Sequence, residues 1–130
     1  MNSLNAPGPQ CQISLYRRDE RLFVLMGGSL VMQNSDKVRG AIHPHLNGSI
    51  PAVDIYIGQL GFIDSSGLGM LVGFQMSARK NKVEMRILGP TPAHMHLFEA
   101  TRLNSVFRIL DSAASEPILA EMARPEYELN

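Results

Sequence analysis

Between Ala52 and Asn81 the spacing of apolar residues changes once. Over Ala52-Val53-Asp54-Ile55-Tyr56-Ile57-Gly58, the residues Val53, Ile55 and Ile57 fall on one side and Asp54 and Tyr56 on the other, the period-two pattern of a half-covered strand. From Ser65 to Asn81 apolar residues recur at Leu68, Leu71, Val72 and Met76, with Phe74 and Ala78 between them. That spacing predicts a mostly buried helix, and its last turn, Arg79-Lys80-Asn81, sets cations at the negative end of the dipole. At the joint stands Asp64-Ser65-Ser66-Gly67. Asp64 reads as the N-cap, able to accept from the backbone N–H of Ser66 or Gly67. Ser65 then takes the first helical position at the surface, where a phosphate would meet the positive end of the helix dipole. On spacing alone, the plain reading is a capping sequence, and a regulated hydroxyl is the alternative.

The remaining elements follow from the same patterns. Gln12-Ile13-Ser14-Leu15-Tyr16 alternates as a strand, Arg17 to Arg21 is a polar turn, and the continuous apolar run Leu22-Phe23-Val24-Leu25-Met26 is a more central strand ended by Gly27-Gly28. Asn34, with Asp36 in the first turn, starts a helix whose stripe is Val38, Ile42 and Leu46. Pro44 removes a bond to the Gly40 carbonyl, which predicts a kink or early stop. Glu84 to Leu88 is a further strand. Thr91 caps a helix with Pro92 at its first position, running over Ala93 to Thr101, and Val106 to Leu110 is a short last strand. A terminal helix spans Ser112 to Met122 despite Pro117. Strands alternating with helices after a leading hairpin predict an α/β domain with a largely parallel sheet, over residues 11–122. Residues 1–10, with Pro7-Gly8-Pro9, read as a disordered leader, and 123–130 as a flexible C-terminal tail.

Composition narrows the function classes. A chain of 130 residues, 45% apolar, buries a real core without disulfides or metal. Lys plus Arg equals Asp plus Glu at 12 each, which argues against a nucleic-acid partner, since phosphate neutralisation needs a basic face. The single cysteine, Cys11, rules out an internal disulfide and fits a reducing compartment. No apolar run reaches the length of a membrane span and no signal-peptide pattern opens the chain, so the cytoplasm is expected.

Candidate chemistry is sparse. Neither Ser65 nor Ser66 has glycines two before and two after, as a nucleophile elbow requires, and Gly67, Gly69 and Gly73 miss the dinucleotide fingerprint. His94 and His96 fall two apart in a helix and cannot share an ion, and His43 and His45 lack a third ligand, so all four are read as surface histidines. Met26, Met70, Met76 and Met85 are read as core filler. No catalytic residue, metal or cofactor is called for, and the reading is that the chain is not an enzyme.

Two stretches carry a resemblance. Leu60-x-Phe62-Ile63-Asp64-Ser65-Ser66-Gly67-Leu68-Gly69 after a strand resembles the signature of the STAS domain family, the anti-sigma factor antagonists. Pro92-Ala93, Leu97-Phe98, then Thr101-x-Leu103-x-x-Val106-Phe107 is similar to that family's third helix and its exit into the last strand. The resemblance implies a four- or five-stranded mixed sheet with packed helices. It implies as partner an anti-sigma factor that is a serine kinase of the histidine-kinase-like ATPase fold, with a serine phosphatase as the opposing activity. The acceptor serine corresponds to Ser65, with Asp64, Ser66 and Gly67 as cap and turn and Leu68, Gly69 and Met70 as partner-facing residues. Unmodified antagonist captures the anti-sigma factor and frees the sigma factor; phosphorylated antagonist is released. A charge of about −2 forced into a close interface must be desolvated there, which suffices to break it.

Three positions depart from the family pattern. Gly28-Ser29-Leu30-Val31 stands where Gly-Glu-Leu-Asp is common, Gln59 where Asp is frequent, and Arg102 where a glycine follows Thr101, a left-handed turn position. The alternative from another class is a scaffold or accessory subunit of a transport or stress-signalling assembly, using the same fold without phosphorylation.

Overall fold

The computed structural model describes residues 10–122. Five strands form one mixed sheet in chain order: β1 (Cys11–Arg18), β2 (Arg21–Leu30), β3 (Ala52–Ile63), β4 (Glu84–Leu88) and β5 (Arg108–Leu110). β1 and β2 are the expected hairpin, and the β2–β3, β3–β4 and β4–β5 pairings are parallel. The helices are α1 (Ser35–Ile42), α2 (Ser65–Lys80), α3 (Pro92–Ala100) and α4 (Ser112–Met122). The mixed sheet with packed helices is the fold expected from the sequence. Of the segment expected as a leader, only Gln10 is described, and its carbonyl accepts from Ser29 N–H at 2.8 Å. The rest of it and residues 123–130 lie outside the described residues.

Both long strands outrun their sequence pattern. β2 does not end at Gly27-Gly28 but continues to Leu30 through shifts of register against β3. Gly28 makes this possible: its φ is +89°, and a Cβ there would overlap the Gln10 carbonyl. β3 reaches Ile63, which lies opposite Leu30 and delivers the chain to the start of α2.

One face of the sheet packs Val53, Ile55 and Ile57 against Leu71, Phe74 and Ala78 of α2 and Val38 and Ile42 of α1, within a single apolar cluster. Each of these side chains larger than alanine, fully buried, contributes about 1.5–3 kcal/mol. The other face is not open, as the half-covered pattern suggested. There Phe23 and Leu88 form a second cluster with Met122 of α4, joined by Tyr56, Ile118 and Leu119. Pro117 lies inside α4 and leaves the Ala113 carbonyl without its helical donor, which costs little because Ala113 is exposed.

Local details correct three expectations. Asn34 does not cap α1 with its side chain: Oδ1 accepts from Val31 N–H at 3.2 Å and Nδ2 donates to the Ser29 carbonyl at 2.8 Å, bracing a 3-10 turn (Met32–Asn34) before the helix. Met76, placed in the buried stripe of α2, is 65% exposed, because it lies five residues past Leu71 and so off the buried face. The last strand begins at Arg108, since Val106 and Phe107 N–H groups turn back to the Leu103 carbonyl. At Pro44 the chain passes into a 3-10 turn (His43–Leu46), the early stop the proline predicts.

Candidate functional site

The Asp64-Ser65-Ser66-Gly67 joint is built by the ends of two parallel strands. Asp64 N–H donates to the Leu30 carbonyl at 3.2 Å, fixing the exit of β3 against that of β2. Asp64 has extended backbone, and its Oδ1 accepts from Gly67 N–H at 2.7 Å, the cap expected from the sequence. Its Oδ2 accepts from Met32 N–H at 3.1 Å, tying the α2 N-terminus to the segment after β2. A Cβ on Gly67 would overlap the Leu30 carbonyl oxygen, so the close approach of helix to strand requires glycine.

Ser65 is exposed at the first helical position and Ser66 is half-buried. Ser66 lines a groove of about 410 Å³ between α1 and α2, with Met32, Arg39, His43 and Gly69 among its walls. His43 Nε2 lies 3.1 Å from Ser77 Oγ, linking the 3-10 turn that follows α1 to α2. Leu68 and Met70, expected to face a partner, are only 8% and 4% exposed and belong to the core. Gly69 is exposed as expected. Among the described residues the exposed large apolar side chains are Met32, whose N–H donates to Asp64; Phe62, two residues before Asp64; and Met76, at 64%, 60% and 65% exposure.

Two of the departures lie on or just after the strands that lead to this joint. Val31 is buried and immediately precedes Met32, while Gln59 is exposed on β3. From Gly28 to Leu46 and from Gln59 to Met70 the only carboxylates are Asp36 and Asp64. Asp64 is committed to its two N–H donors, and Asp36 lies 3.5 Å from Arg39 on the exposed side of α1. Arg102, the third departure, has φ +62°, the left-handed conformation foreseen for that turn.

Two groups were missed by pattern. His94 is not at the surface. It is 4% exposed, with Nδ1 accepting from Thr91 N–H at 3.1 Å while Thr91 Oγ1 accepts from His94 N–H at 3.1 Å. This reciprocal pair is a capping box, and the spacing Thr91-x-x-His94 was its visible signal. Burial pushes the His94 pKa down, against a hydrogen bond to the Leu60 backbone that favours the charged ring. Asp54, placed on the uncovered side of its strand, is fully buried and held by arginines. Among the described residues no group of three or more His, Cys, Asp or Glu could hold a metal ion, and no helix is long and apolar enough to cross a membrane.

Comparison with known proteins agrees with this architecture. The model of the family described as STAS domain matches residues 12–116, and the chain belongs to that family. It is similar to the anti-sigma-B factor antagonist of Listeria monocytogenes, with 26% identity over 98 residues that cover 75% of this chain and 86% of the relative. Among solved structures, an anti-sigma factor antagonist from Mycobacterium paratuberculosis superposes with a TM-score of 0.74 at 21% identity, covering 93% of this chain and all of the other. The Bacillus cell fate determinant SpoIIAA in its phosphorylated form gives 0.65 at 20% identity, over 85% of this chain and 99% of the other.

Proposed function

We propose that this chain is a cytoplasmic anti-sigma factor antagonist that captures a serine-kinase anti-sigma factor of the histidine-kinase-like ATPase fold and is released when Ser65 is phosphorylated. The observation that carries the reading is the position of Ser65, exposed on the first residue of a helix whose cap is supplied by its neighbour Asp64. A phosphate there adds negative charge at the positive end of α2, where the fold tolerates it. The same charge pressed into a protein interface would be desolvated without a partner, at a cost of several kcal/mol. The name of the Listeria relative supports the reading. A serine phosphatase would reset the switch.

A second reading, a scaffold that is never phosphorylated, is favoured by one feature: Val31 and Gln59 leave the surroundings of Ser65 without the family's acids. Incubation with a candidate kinase and ATP, followed by phosphate mapping by mass spectrometry, separates the two. Phosphate at Ser65, and loss of kinase binding in Ser65→Asp, is the expected result. Absence of modification together with unchanged binding by Ser65→Asp would sink the switch and leave the scaffold.

A further inference from the structure

At the opposite end of the sheet from Ser65, the starts of β2, β3 and β4 and the end of α4 enclose a cleft of about 680 Å³. The 12 residues of β3 separate the two ends by roughly 35 Å. Its lining is apolar at Pro51, Ala52, Pro117, Ile118 and Met122 and charged at the rest, with Arg18, Arg21 and Arg86 among the charged residues. Arg86 holds the buried Asp54 carboxylate in a fork, with Nε on Oδ1 at 2.7 Å and Nη2 on Oδ2 at 2.6 Å. Arg21 adds Nη1 on Asp54 at 2.7 Å and Nη2 on Glu84 at 2.9 Å, and Arg108 reaches Glu84 at 2.8 Å. At the rim Arg18 pairs with Glu121 at 2.6 Å.

A single bidentate arginine would neutralise Asp54. Arg18, Arg21 and Arg86 line the cleft and Arg108 joins from outside it, so that Asp54, Glu84 and Glu121 are each already bonded to a guanidinium. The other carboxylates of the lining, Asp19 and Glu20, stand exposed on the hairpin turn. Arg86 Nη1 and Arg21 Nε keep N–H groups with no partner among the described residues. The side chain of Arg86 is itself only 17% exposed, so an acceptor bonded to it would be largely shielded from water. A concavity that sets an apolar surface beside a few convergent donors can hold a small amphipathic ligand, and guanidiniums select planar oxyanions.

We propose that this cleft binds a small amphipathic carboxylate, its oxyanion on Arg86 and Arg21 and its apolar body against Ile118 and Met122. The site is separate from Ser65 and independent of the switch. The probe is hexanoate, titrated into isotopically labelled protein at constant ionic strength, with hexylammonium as the charge-reversed control and amide shifts as the readout. Saturable shifts confined to the starts of β2 to β4 and the end of α4, absent with hexylammonium, are the expected outcome. Ile118→Glu, which puts a carboxylate in the half-buried apolar wall, and Arg86→Lys, which removes the fork, should each weaken hexanoate binding by about tenfold or more. Ile118→Glu keeps the test decisive if Arg86→Lys unfolds. No saturation, shifts scattered over the surface, equal shifts from hexylammonium, or undiminished affinity in folded Ile118→Glu would each overturn the proposal.

Discussion

Asp64 holds Met32 as well as its own helix: one carboxylate oxygen takes Gly67 N–H at 2.7 Å and the other takes Met32 N–H at 3.1 Å. The residue before Ser65 is therefore a clamp between α2 and the chain leaving β2. The segment carrying exposed Met32 and the helix carrying Ser65 are positioned by the same side chain, so a partner that reads one meets the other in fixed relation.

Removing that side chain should cost more than an ordinary cap. Asp64→Ala orphans two N–H groups, and a loss of about 2 kcal/mol is expected. Asp64→Asn retains an acceptor and should lose about 1 kcal/mol or less. Urea unfolding measures both, as a lowered midpoint at unchanged slope. Equal losses from the two substitutions would mean that the one acceptor oxygen asparagine retains holds neither N–H, and that the clamp needs the whole carboxylate.

The arginine cluster predicts a different pattern. Arg86→Met strips the bidentate partner from a fully buried carboxylate and should destabilise the fold by about 3–5 kcal/mol. The double variant Arg86→Met/Asp54→Leu removes the buried charge as well and should recover most of that loss. Glu84 adds a pH dependence. The hydrogen bond from Arg21 holds its carboxyl below the usual value of 4.5, against some desolvation. A depressed carboxylate stabilises above its unfolded pKa, so its share is full above about pH 4.5 and is lost as pH falls through the lower folded value. Denaturation of wild type and Glu84→Gln across that range should converge toward low pH.

His94 gives the opposite case in a higher window. Burial pushes its pKa below 6.5, and its Nδ1 accepts the Thr91 N–H, which a protonated ring cannot do. The unfolded chain therefore takes up the proton first. Stability is full above pH 6.5 and falls as pH drops from 6.5 toward the depressed folded value. His94→Asn, which can still accept from Thr91 N–H, should show a flatter profile between pH 7.5 and 5, by about the slope of one proton. A parallel loss in both proteins would assign the acid sensitivity elsewhere.

How far the chain could be read depended on whether one element or several decided a residue's place. The strand at Val53, Ile55 and Ile57, the helix after Asp64 and the stop at Pro44 are local, and periodicity or missing donors revealed them. Burial of Asp54 is not local: it depends on α4 closing the second face and on Arg21 and Arg86, 33 and 32 residues away in the chain. The exposure of Met76 depends on the rotation of α2 about its axis, which Gly67 sets by its approach to Leu30. Glycines at Gly69 and Gly73 left the helical pattern too sparse to show it.

Arg102 offers a gain where the other sites offer losses. It stands at φ +62° and ψ +26° between α3 and the turn at Leu103–Ser105, where a side chain is disfavoured by about 1–2 kcal/mol. Glycine removes that strain but gives the unfolded chain more freedom, which takes back about 0.5–1 kcal/mol. The side chain itself is exposed, and among the described residues no ion pair involves it, so little is lost with it. Arg102→Gly should therefore raise the stability by about 0.5–1 kcal/mol, whereas Arg102→Ala should leave the strain in place and change little. Thermal unfolding of the three proteins side by side checks this, and an equal gain from alanine would place the cost in the arginine side chain rather than in the backbone.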